Sequence, residues 1–388
     1  MRRITLPERP EWRAEAEALG FRFHTIGGEP YWVDDGAWQF TLKQVEDDLE
    51  AASAELHAMA MDLVAEVVRS EALMTRLGIP EPYRDWIAAS WARRDRHLYG
   101  RMDLAYTGTG PAKLLEFNYD TPTSLYESAY FQWLWLESRI ARGELPAGAD
   151  QYNAIQDRLV EAFELLKGTL REPLYLASVR DHAEDRGTLL YVRDCAAQAG
   201  IDCRILDLED IGLSVDGRFT DTDDYVIESL FKLYPWEDMF TDRYGSALPG
   251  SGLIAFEPPW KALLSNKAVL PLLWERHAGH PNLLEAHVDD GSALPPGWVR
   301  KPVHSREGAN VELILPDGLA AAEPGPYAGP AIRQAYAPLA EAEVDGERFH
   351  AVIGAWVIGD TPAGMGIRED RGLITRDSAR FLPHVIVD

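Results

Sequence analysis

The sequence predicts an α+β protein, because three different periodic patterns follow one another along its 388 residues. Apolar residues recur at helical spacing from residue 42 to residue 67. Two short alternating segments then surround the turn sequence Thr107-Gly-Thr-Gly-Pro, which is typical of a hairpin. From residue 172 to residue 212, strand, helix and strand patterns alternate as in a βαβ unit.

The first region, up to about residue 97, is predicted to be helical. Thr41 and Gln44 have the spacing of a capping box at the start of the helix. The apolar periodicity continues until Gly78-Ile-Pro, where glycine and proline end it. In the βαβ-like region we expect a strand from Leu174, a helix over 188–200 and a second strand from Cys203.

Composition is that of a globular protein, with 46% hydrophobic and 26% charged residues. No apolar run approaches the ~20 residues of a membrane span, and no apolar core follows Met1-Arg-Arg, so we expect neither a membrane partner nor a signal peptide. Cys195 and Cys203 give no disulfide framework, which suits a reducing compartment. The expected location is the cytoplasm.

The formal net charge of −25 argues against nucleic acid as a partner, since no basic stripe offsets that field. The charge is compatible with a cationic substrate such as a polyamine or another amine. A solvated acidic surface explains it equally well.

The hairpin is the most informative segment, because its pairing places four polar side chains on one face. An antiparallel fold about the central turn sets Asp103 opposite Glu116 and Arg101 opposite Asn118. Two carboxylates and an amide oxygen are ligands suited to Mg²⁺, and the arginine suits phosphate oxygens. A solvated polar face is the alternative, and a register slip would separate the two polar sets. The residues expected on the opposite, apolar face are Met102, Leu104, Leu115 and Phe117.

Hydroxyl residues precede the aromatic segment that follows the hairpin. Thr121, Thr123 and Ser124 stand where a helix begins, and Ser124 with Glu127 fits a capping box. Free backbone donors and hydroxyls at this point are suited to an anionic substrate. An ordinary capped helix is the alternative interpretation.

These residues, together with later motifs, resemble the glutathionylspermidine synthase family of ATP-grasp ligases. The chain is more similar to the short, synthetase-only members than to the bifunctional enzymes, and it is too short to add the amidase domain of the latter. Several separated motifs in one order make the resemblance specific. They are Arg101-x-Asp103, Glu116-Phe-Asn-Tyr-Asp-Thr-Pro-Thr-Ser-Leu, Phe256-Glu-Pro-Pro-Trp-Lys, Ser265-Asn-Lys, Arg300-Lys-Pro-Val, Arg306-Glu-Gly-Ala-Asn-Val and Gly364-Met-Gly-Ile-Arg-Glu-Asp.

The resemblance implies an ATP-grasp fold with an N-terminal helical region and a βαβ-like substrate (pre-ATP-grasp) subdomain. The expected units are the helical region 1–97, the metal-binding hairpin and following helices 98–171, the substrate subdomain 172–255, the lid 256–330 and the C-terminal part of the core 331–388.

The resemblance also implies ATP and Mg²⁺ as cofactors, with Asp103, Glu116 and Asn118 as metal ligands. Arg101 and Arg368 would stabilise transition-state charge. Arg376 stands where the family often has lysine, which changes the geometry of that contact. The residues implied for nucleotide binding are Lys267, Lys301, Gly308, Gln334, Tyr336 and Ala337.

Substrate contacts are implied for Thr121, Thr123 and Ser124, and for Glu184 and Asp185 in the loop after the first strand of the βαβ-like unit. For the last two, a solvated loop is an equal alternative. Glutathione and spermidine are names inherited from the family and do not follow from the residues.

The predicted function is an ATP-dependent carboxylate–amine ligase that forms an amide through an acyl phosphate. Its acyl donor is expected to be a peptide or amino acid and its acceptor an amine. One alternative is a non-catalytic ATP-grasp protein that binds nucleotide and peptide. Another is a glycosidase using Asp103 and Glu116, which leaves Lys267, Lys301 and Arg368 without a role.

Overall fold

The computed structural model of the chain describes residues 1–387 and shows a mixed α/β architecture with six sheets. The helices share no single layer and pack against the different sheets. The α-helices are Trp12–Ala18, Ala51–Val67, Glu71–Arg76, Glu81–Arg93, Gln132–Ala141, Ile155–Leu166, Ala183–Gln198, Trp236–Thr241 and Val269–Arg276. The π-helical and 3₁₀-helical segments are Gln44–Glu50, Glu127–Phe131, Leu208–Asp210, Gly245–Gly250 and Pro259–Leu263.

The central sheet is antiparallel and contains the predicted hairpin. It pairs distant parts of the chain, since the hairpin lies beside strands from the C-terminal third. Its strands, in spatial order, are Arg380–Leu382, Thr361–Asp370, Glu347–Ile358, Tyr99–Ala105 and Lys113–Asn118, with Ala340–Val344 also paired to Glu347–Ile358.

A second antiparallel sheet, here called the lid sheet, has four of its five strands in the segment 256–330 where a lid was predicted, while Ala331–Ala335 follows that segment. It carries Lys301 and Gln334 on neighbouring strands. The strands in spatial order are Ala286–Val288, Ala331–Ala335, Trp298–Pro302, Glu312–Ile314 and Ala320–Ala322.

The βαβ-like unit is confirmed, and it belongs to a four-stranded parallel sheet. Its helix spans Ala183–Gln198 and so begins five residues earlier than predicted. The parallel strands in spatial order are Ile254–Phe256, Ser229–Leu233, Leu174–Ser178 and Cys203–Asp207.

The N-terminal region is helical only in part. The capping box at Thr41 and Gln44 is confirmed, because each backbone N–H donates to the other residue's side chain. The first forty residues also form strands, which the sequence did not predict. Arg2–Thr5, Gly36–Phe40 and the C-terminal His384–Ile386 make one sheet, while the remaining two-stranded pairs are Thr25–Ile26 with Glu29–Pro30 and Gly212–Leu213 with Phe219–Thr220.

Two apolar cores meet at the central sheet. The strand Glu347–Ile358 alternates between them, since Ala355 and Val357 pack with the helix Ala51–Val67 and Trp356 packs with the parallel-sheet side. Within residues 1–387, no helix combines the length and the apolar character needed to cross a membrane.

A buried ion pair joins the parallel sheet to the segment that follows the hairpin. The Lys232 ammonium of the parallel sheet donates to Asp120 Oδ1 at 2.5 Å, and the Trp236 N–H donates to Asp120 Oδ2 at 2.9 Å. The side chains of Lys232 and Asp120 are 0% and 1% exposed, so neither charge has water as a partner. Removing one partner therefore leaves a buried, unpaired charge.

Lys232→Met is expected to lower the free energy of unfolding by about 3–5 kcal/mol, because the Asp120 carboxylate stays buried without its cation. Urea titration followed by tryptophan fluorescence measures the change. The control Arg76→Met breaks a pair with Glu275 whose side chains are 41% and 48% exposed, and it should cost less than about 1 kcal/mol. Equal losses in the two variants would contradict a stabilising role for the buried pair.

Candidate active site

A cavity lies where the central sheet, the lid sheet and the loop 304–310 converge. It contains all of the residues that the sequence predicted for metal and nucleotide binding. The predicted residues that line it are Arg101, Asp103, Glu116, Asn118, Thr121, Thr123, Lys267, Lys301, Gly308, Gln334, Tyr336, Ala337 and Arg368.

The predicted hairpin register is confirmed, with Arg101 opposite Asn118 and Asp103 opposite Glu116. The Arg101 guanidinium donates two hydrogen bonds to the Asp103 carboxylate, from Nε to Oδ1 at 2.7 Å and from Nη2 to Oδ2 at 3.1 Å. Arg368, two strands away, donates to Asp103 Oδ2 at 2.8 Å. The Asn118 amide lies 3.2 Å from both carboxylates. The four polar side chains of the hairpin therefore form one connected group, which Arg368 joins from two strands away.

A bulge after Asp103 changes the apolar face of the hairpin. Leu104 pairs with Leu114 and not with Leu115. Leu114 is fully buried in the core, whereas Leu115 lines the cavity. The assignment of Leu115 to the core face is therefore wrong, because the extra residue of a bulge reverses the alternation on one side of it.

Glu116 lies among lysines. Lys267 Nζ is 3.2 Å from Glu116 Oε2 and also donates to the Ser305 carbonyl. Burial alone would raise the pKa of Glu116, but the charges of Lys267 and Lys301 and the Asn118 amide lower it to about 2. Glu116 is therefore ionised throughout the physiological range.

Lys301 reaches across from the lid sheet to the hairpin. Its ammonium donates to Gln334 Oε1 at 2.8 Å and to the Leu115 carbonyl at 3.1 Å. Burial lowers the pKa of Lys301 to about 8, and the Lys267 charge adds to this, while Glu116 opposes it. A lysine with this pKa carries its charge at neutral pH and loses it in mildly alkaline solution.

Part of the cavity wall is apolar. Its apolar residues belong to two packed clusters, with Leu115, Ala337, Leu339 and Val352 in one and Val299, Leu313 and Ile374 in the other. The Tyr336 N–H already donates to the Gly297 carbonyl at 2.8 Å. That donor is therefore taken within the protein, and the implied nucleotide contacts of Tyr336 and Ala337, which both line the cavity, stay a prediction.

The loop 304–310 closes the cavity from the lid side. Gly308 has φ +71°, and a Cβ there would lie 2.6 Å from Ile374 Cγ2 and 2.7 Å from the Thr375 carbonyl oxygen. Arg306 Nη1 donates to Thr121 Oγ1 at 3.0 Å and its Nη2 to Glu237 Oε1 at 2.6 Å. The loop is thus held to the hairpin side and to the parallel-sheet side at once.

The predicted substrate residues divide into two groups. Thr121 and Thr123 line the cavity, and the Thr123 carbonyl accepts a hydrogen bond from Arg101. Ser124 is buried outside the cavity lining, with its hydroxyl 3.2 Å from Tyr31 Oη. The capping box at Ser124 and Glu127 is wrong, because Ser124 has φ +68° and the Glu127 carboxylate accepts from Tyr31 instead.

Glu184 and Asp185 lie in the first turn of the helix Ala183–Gln198 and not in a loop. Neither is among the residues that line the cavity. Burial and the nearby charges of Glu127 and Asp185 raise the pKa of Glu184 to about 8, and the charges of Asp377 and Glu307 act in the same direction. These residues form an acidic region beside the cavity.

The three predicted magnesium ligands lie together on the hairpin. Asp103 and Glu116 supply hard carboxylate oxygens and Asn118 an amide, all on one face of the hairpin. Across residues 1–387 no group of three or more His, Cys, Asp or Glu side chains is arranged to hold a metal. The predicted set has only two carboxylates, so the remaining positions around an Mg²⁺ would fall to ligand oxygens and water, as is usual for this ion.

Several residues of the cavity received no role from the sequence. Arg306 and Glu307 belong to a motif that the sequence did single out, and Ser305 directly precedes it, but an isolated arginine gives no sign of its partners. Leu373, Ile374 and Thr375 close the cavity from the C-terminal side. Arg376, whose role was uncertain, pairs with Asp370 at 2.7 Å and stands outside the residues that line the cavity.

The chain belongs to the glutathionylspermidine synthase family. The family model of the glutathionylspermidine synthase preATP-grasp region matches residues 3–387. The resemblance stated from the motifs is thereby confirmed.

Curated relatives have related names. A protein of Haemophilus influenzae, named as a candidate acid–amine ligase, is 35% identical over 403 residues, and the match covers all of both chains. The trypanothione synthetase of Crithidia fasciculata is 28% identical over 84% of this chain and 53% of its own. The bifunctional glutathionylspermidine synthetase/amidase of Escherichia coli is 24% identical over 78% and 52%. This chain therefore spans about half the length of the last two proteins.

Among solved structures, a glutathione synthetase-like effector from Globodera pallida in its apo form has a similar fold. The TM-score is 0.58 at 12% sequence identity, and the match covers 90% of this chain and 88% of the other. At this identity the similarity concerns the fold alone.

Gly308→Ala is expected to loosen the loop 304–310, because the new methyl group collides with Ile374 and Thr375 at a backbone angle that already strains an alanine by about 1–3 kcal/mol. Hydrogen–deuterium exchange should become faster at the amides of 304–310. The control Gly318→Ala has φ +91° but no atom within 4 Å of its Cβ, so exchange at 304–310 should not change. Unchanged exchange in Gly308→Ala would show that the contact does not hold the loop.

Proposed function

We propose that this protein is an ATP- and Mg²⁺-dependent ligase that joins a carboxylate to an amine and releases ADP and phosphate. One observation carries the proposal. Three carboxylates and five cations line one cavity that also has an apolar wall, the cations being Arg101, Lys267, Lys301, Arg306 and Arg368. Three negative and five positive charges leave the cavity positive, although the whole chain has a net charge of −25. A local positive charge beside an apolar wall suits a nucleoside triphosphate.

Each group then has a proposed task. Asp103, Glu116 and Asn118 hold Mg²⁺, which neutralises phosphate charge when bound. Lys267 and Lys301 bind phosphate oxygens, and the apolar side of the cavity receives the adenine ring. Transfer of a phosphoryl group depends chiefly on positioning and charge neutralisation, which this arrangement provides.

The reaction proceeds in two steps. A carboxylate oxygen of the acyl donor takes the terminal phosphoryl group and ADP leaves, giving an acyl phosphate. The amine nitrogen then attacks the acyl carbon, the bond to the phosphate oxygen breaks and a proton leaves the nitrogen. Arg101 and Arg368 stabilise the negative charge that develops on the oxygens in both steps.

The substrates are assigned by the chemistry around the cavity. Thr121, Thr123 and Arg306 suit the carboxylate of a peptide or amino acid, because hydroxyls and a guanidinium converge there. The acidic region around Glu184 and Asp185 suits a cationic amine such as a polyamine. Names of the relatives agree with this class, since they describe an acid–amine ligase and synthetases of glutathionylspermidine and trypanothione.

The fold and location proposed with this function are those of an ATP-grasp enzyme in the cytoplasm. The central sheet and the lid sheet enclose the nucleotide, and the parallel sheet is the substrate subdomain, with the boundaries 1–97, 98–171, 172–255, 256–330 and 331–388. The described cysteines are both free thiols, which agrees with a reducing compartment.

The test is ADP release with Mg·ATP against a panel of amino acids, glutathione and short peptides, each with and without polyamines. Release that requires both an acid and an amine, together with the mass of a condensed product, supports the ligase and identifies its substrates. Nucleotide binding without release for any pair would instead favour a binding protein without turnover.

Asp103→Asn is expected to reduce ADP release at least about a hundredfold, because it removes a metal ligand and the charge that orients both arginines. Steady-state rates measure the loss, and circular dichroism checks the fold. Asp157→Asn, on an exposed helix surface, is the control and should keep the wild-type rate. A wild-type rate in Asp103→Asn would refute the metal assignment.

The value of kcat/KM for ATP is expected to fall about tenfold per pH unit above about pH 8, because Lys301 then loses the proton that gives it its charge. Rates at saturating acid and amine between pH 6.5 and 10 measure this. Lys301→Arg should remove the fall, since a guanidinium stays charged over this range. If kcat/KM fell equally at alkaline pH in the wild type and in Lys301→Arg, the fall would belong to another titrating group.

A further inference from the structure

The side chain of Gln334 lies in the cavity wall but is occupied by protein partners. Its Oε1 accepts from Lys301 Nζ at 2.8 Å, and its Nε2 donates to the Leu114 carbonyl at 3.0 Å. Gln334 is 1% exposed. Both ends of the amide are therefore fixed before any ligand binds.

The sheet register explains why these two side chains meet. In the antiparallel pair of lid strands, Val299 is opposite Gln334 and Lys301 is opposite Ile332. Lys301 and Gln334 are diagonal neighbours on the same face, at a separation that long side chains bridge. The contact is thus built into the pairing of the two strands.

The amide also connects the lid sheet to the hairpin. Lys301 donates to the Leu115 carbonyl and Gln334 donates to the adjacent Leu114 carbonyl, so the two side chains bind consecutive peptide groups. The bulge after Asp103 presents these carbonyls, since it places Leu114 and Leu115 out of the regular alternation.

An ammonium group has three N–H donors. Gln334 Oε1 and the Leu115 carbonyl accept two of them, which leaves one for the cavity. A lysine side chain held at two acceptors loses less conformational freedom when a phosphate oxygen binds the third donor.

We propose that Gln334 is a positioning residue for Lys301. The Gln334 amide holds the Lys301 ammonium at the place where the ammonium meets a phosphate oxygen. Gln334 does not contact the adenine ring. This inference rests on the proposed function, since it assumes a nucleotide in the cavity. It gives a specific role to Gln334, which the family resemblance implied only as a nucleotide-binding residue.

The experiment compares the affinities of ATP and adenosine, because only ATP has the phosphates that Lys301 binds. Dissociation constants are measured by isothermal titration calorimetry for the wild type, Gln334→Met, Lys301→Met and the double variant. We expect Gln334→Met to weaken ATP about tenfold or more, as for loss of a hydrogen bond to a charged group, and to leave adenosine within twofold. In the Lys301→Met background, Gln334→Met should have no further effect on ATP.

Two results would overturn the proposal. One is an equal loss of ATP and adenosine affinity in Gln334→Met, which would make Gln334 an adenine contact. The other is an undiminished effect of Gln334→Met when Lys301 is already methionine. A wild type that binds neither ligand would refute the proposed function itself, and so the two failures are distinguishable.

If Gln334→Met does not fold, Gln334→Glu serves the same comparison, because glutamate has the same shape. It changes the charge beside Lys301 and removes the donor to Leu114. Because the added negative charge offsets that of Lys301, the expected outcome is a weaker ATP affinity with adenosine within twofold of the wild type. A matching change in adenosine affinity would contradict the proposal.

Discussion

The site depends on a glycine, Gly354, in the middle of the central sheet, where any larger residue would place a side chain in the site. Asp103 and Arg368 lie on strands that are separated by the strand Glu347–Ile358, and the register places Gly354 opposite Asp103. A Cβ on Gly354 would lie 2.7 Å from Arg101 Cδ. Because Gly354 has none, Arg101 folds over the strand and Arg368 reaches Asp103 from its other side.

The same arrangement explains how a buried carboxylate is tolerated. Asp103 is 3% exposed, and an isolated charge at that depth would be costly. Two guanidinium groups bond it directly, and Asn118 adds an amide. The neighbouring Glu116 is balanced by Lys267 in the same way. The carboxylates thus keep their charge, while the surplus of cations remains for a polyanionic ligand.

The local pattern of the hairpin was enough to predict its register, because turn residues and alternation act over few residues. The bulge that exchanges Leu114 and Leu115 could not be predicted in this way, since it depends on what each face packs against. The helix Ala183–Gln198 was placed too late because its first turn is capped by the His182 imidazole, which is not among the usual capping side chains. The strands before residue 41 were missed because one of their partners is His384–Ile386, far away in sequence.

For the candidate site, sequence motifs supplied the residue types and the family resemblance supplied most of their roles. Neither the motifs nor the resemblance indicated which side chains already form hydrogen bonds or ion pairs within the protein. Ser124 and Glu127 have the spacing of a capping box, yet a positive φ and the buried Tyr31 hydroxyl redirect both side chains. Arg306 carried no visible partner in the sequence because Thr121 and Glu237 are far from it along the chain. Such pairings are set by tertiary packing, which no local pattern contains.

The position of the parallel sheet relative to the hairpin is fixed by the same kind of long-range contact. Asp120 follows the hairpin by two residues and is bonded to Lys232 and Trp236 of the parallel-sheet region. On the other side, Lys261 donates to the Tyr99 carbonyl, and Glu257 accepts from the Tyr99 N–H. Both ends of the hairpin are therefore bonded to the parallel sheet or to the segment that directly follows its strand Ile254–Phe256. A rotation of the parallel sheet would have to break buried charged hydrogen bonds, and the lid sheet and its loop are tied to the hairpin side in the same manner through Lys301, Gln334 and Arg306.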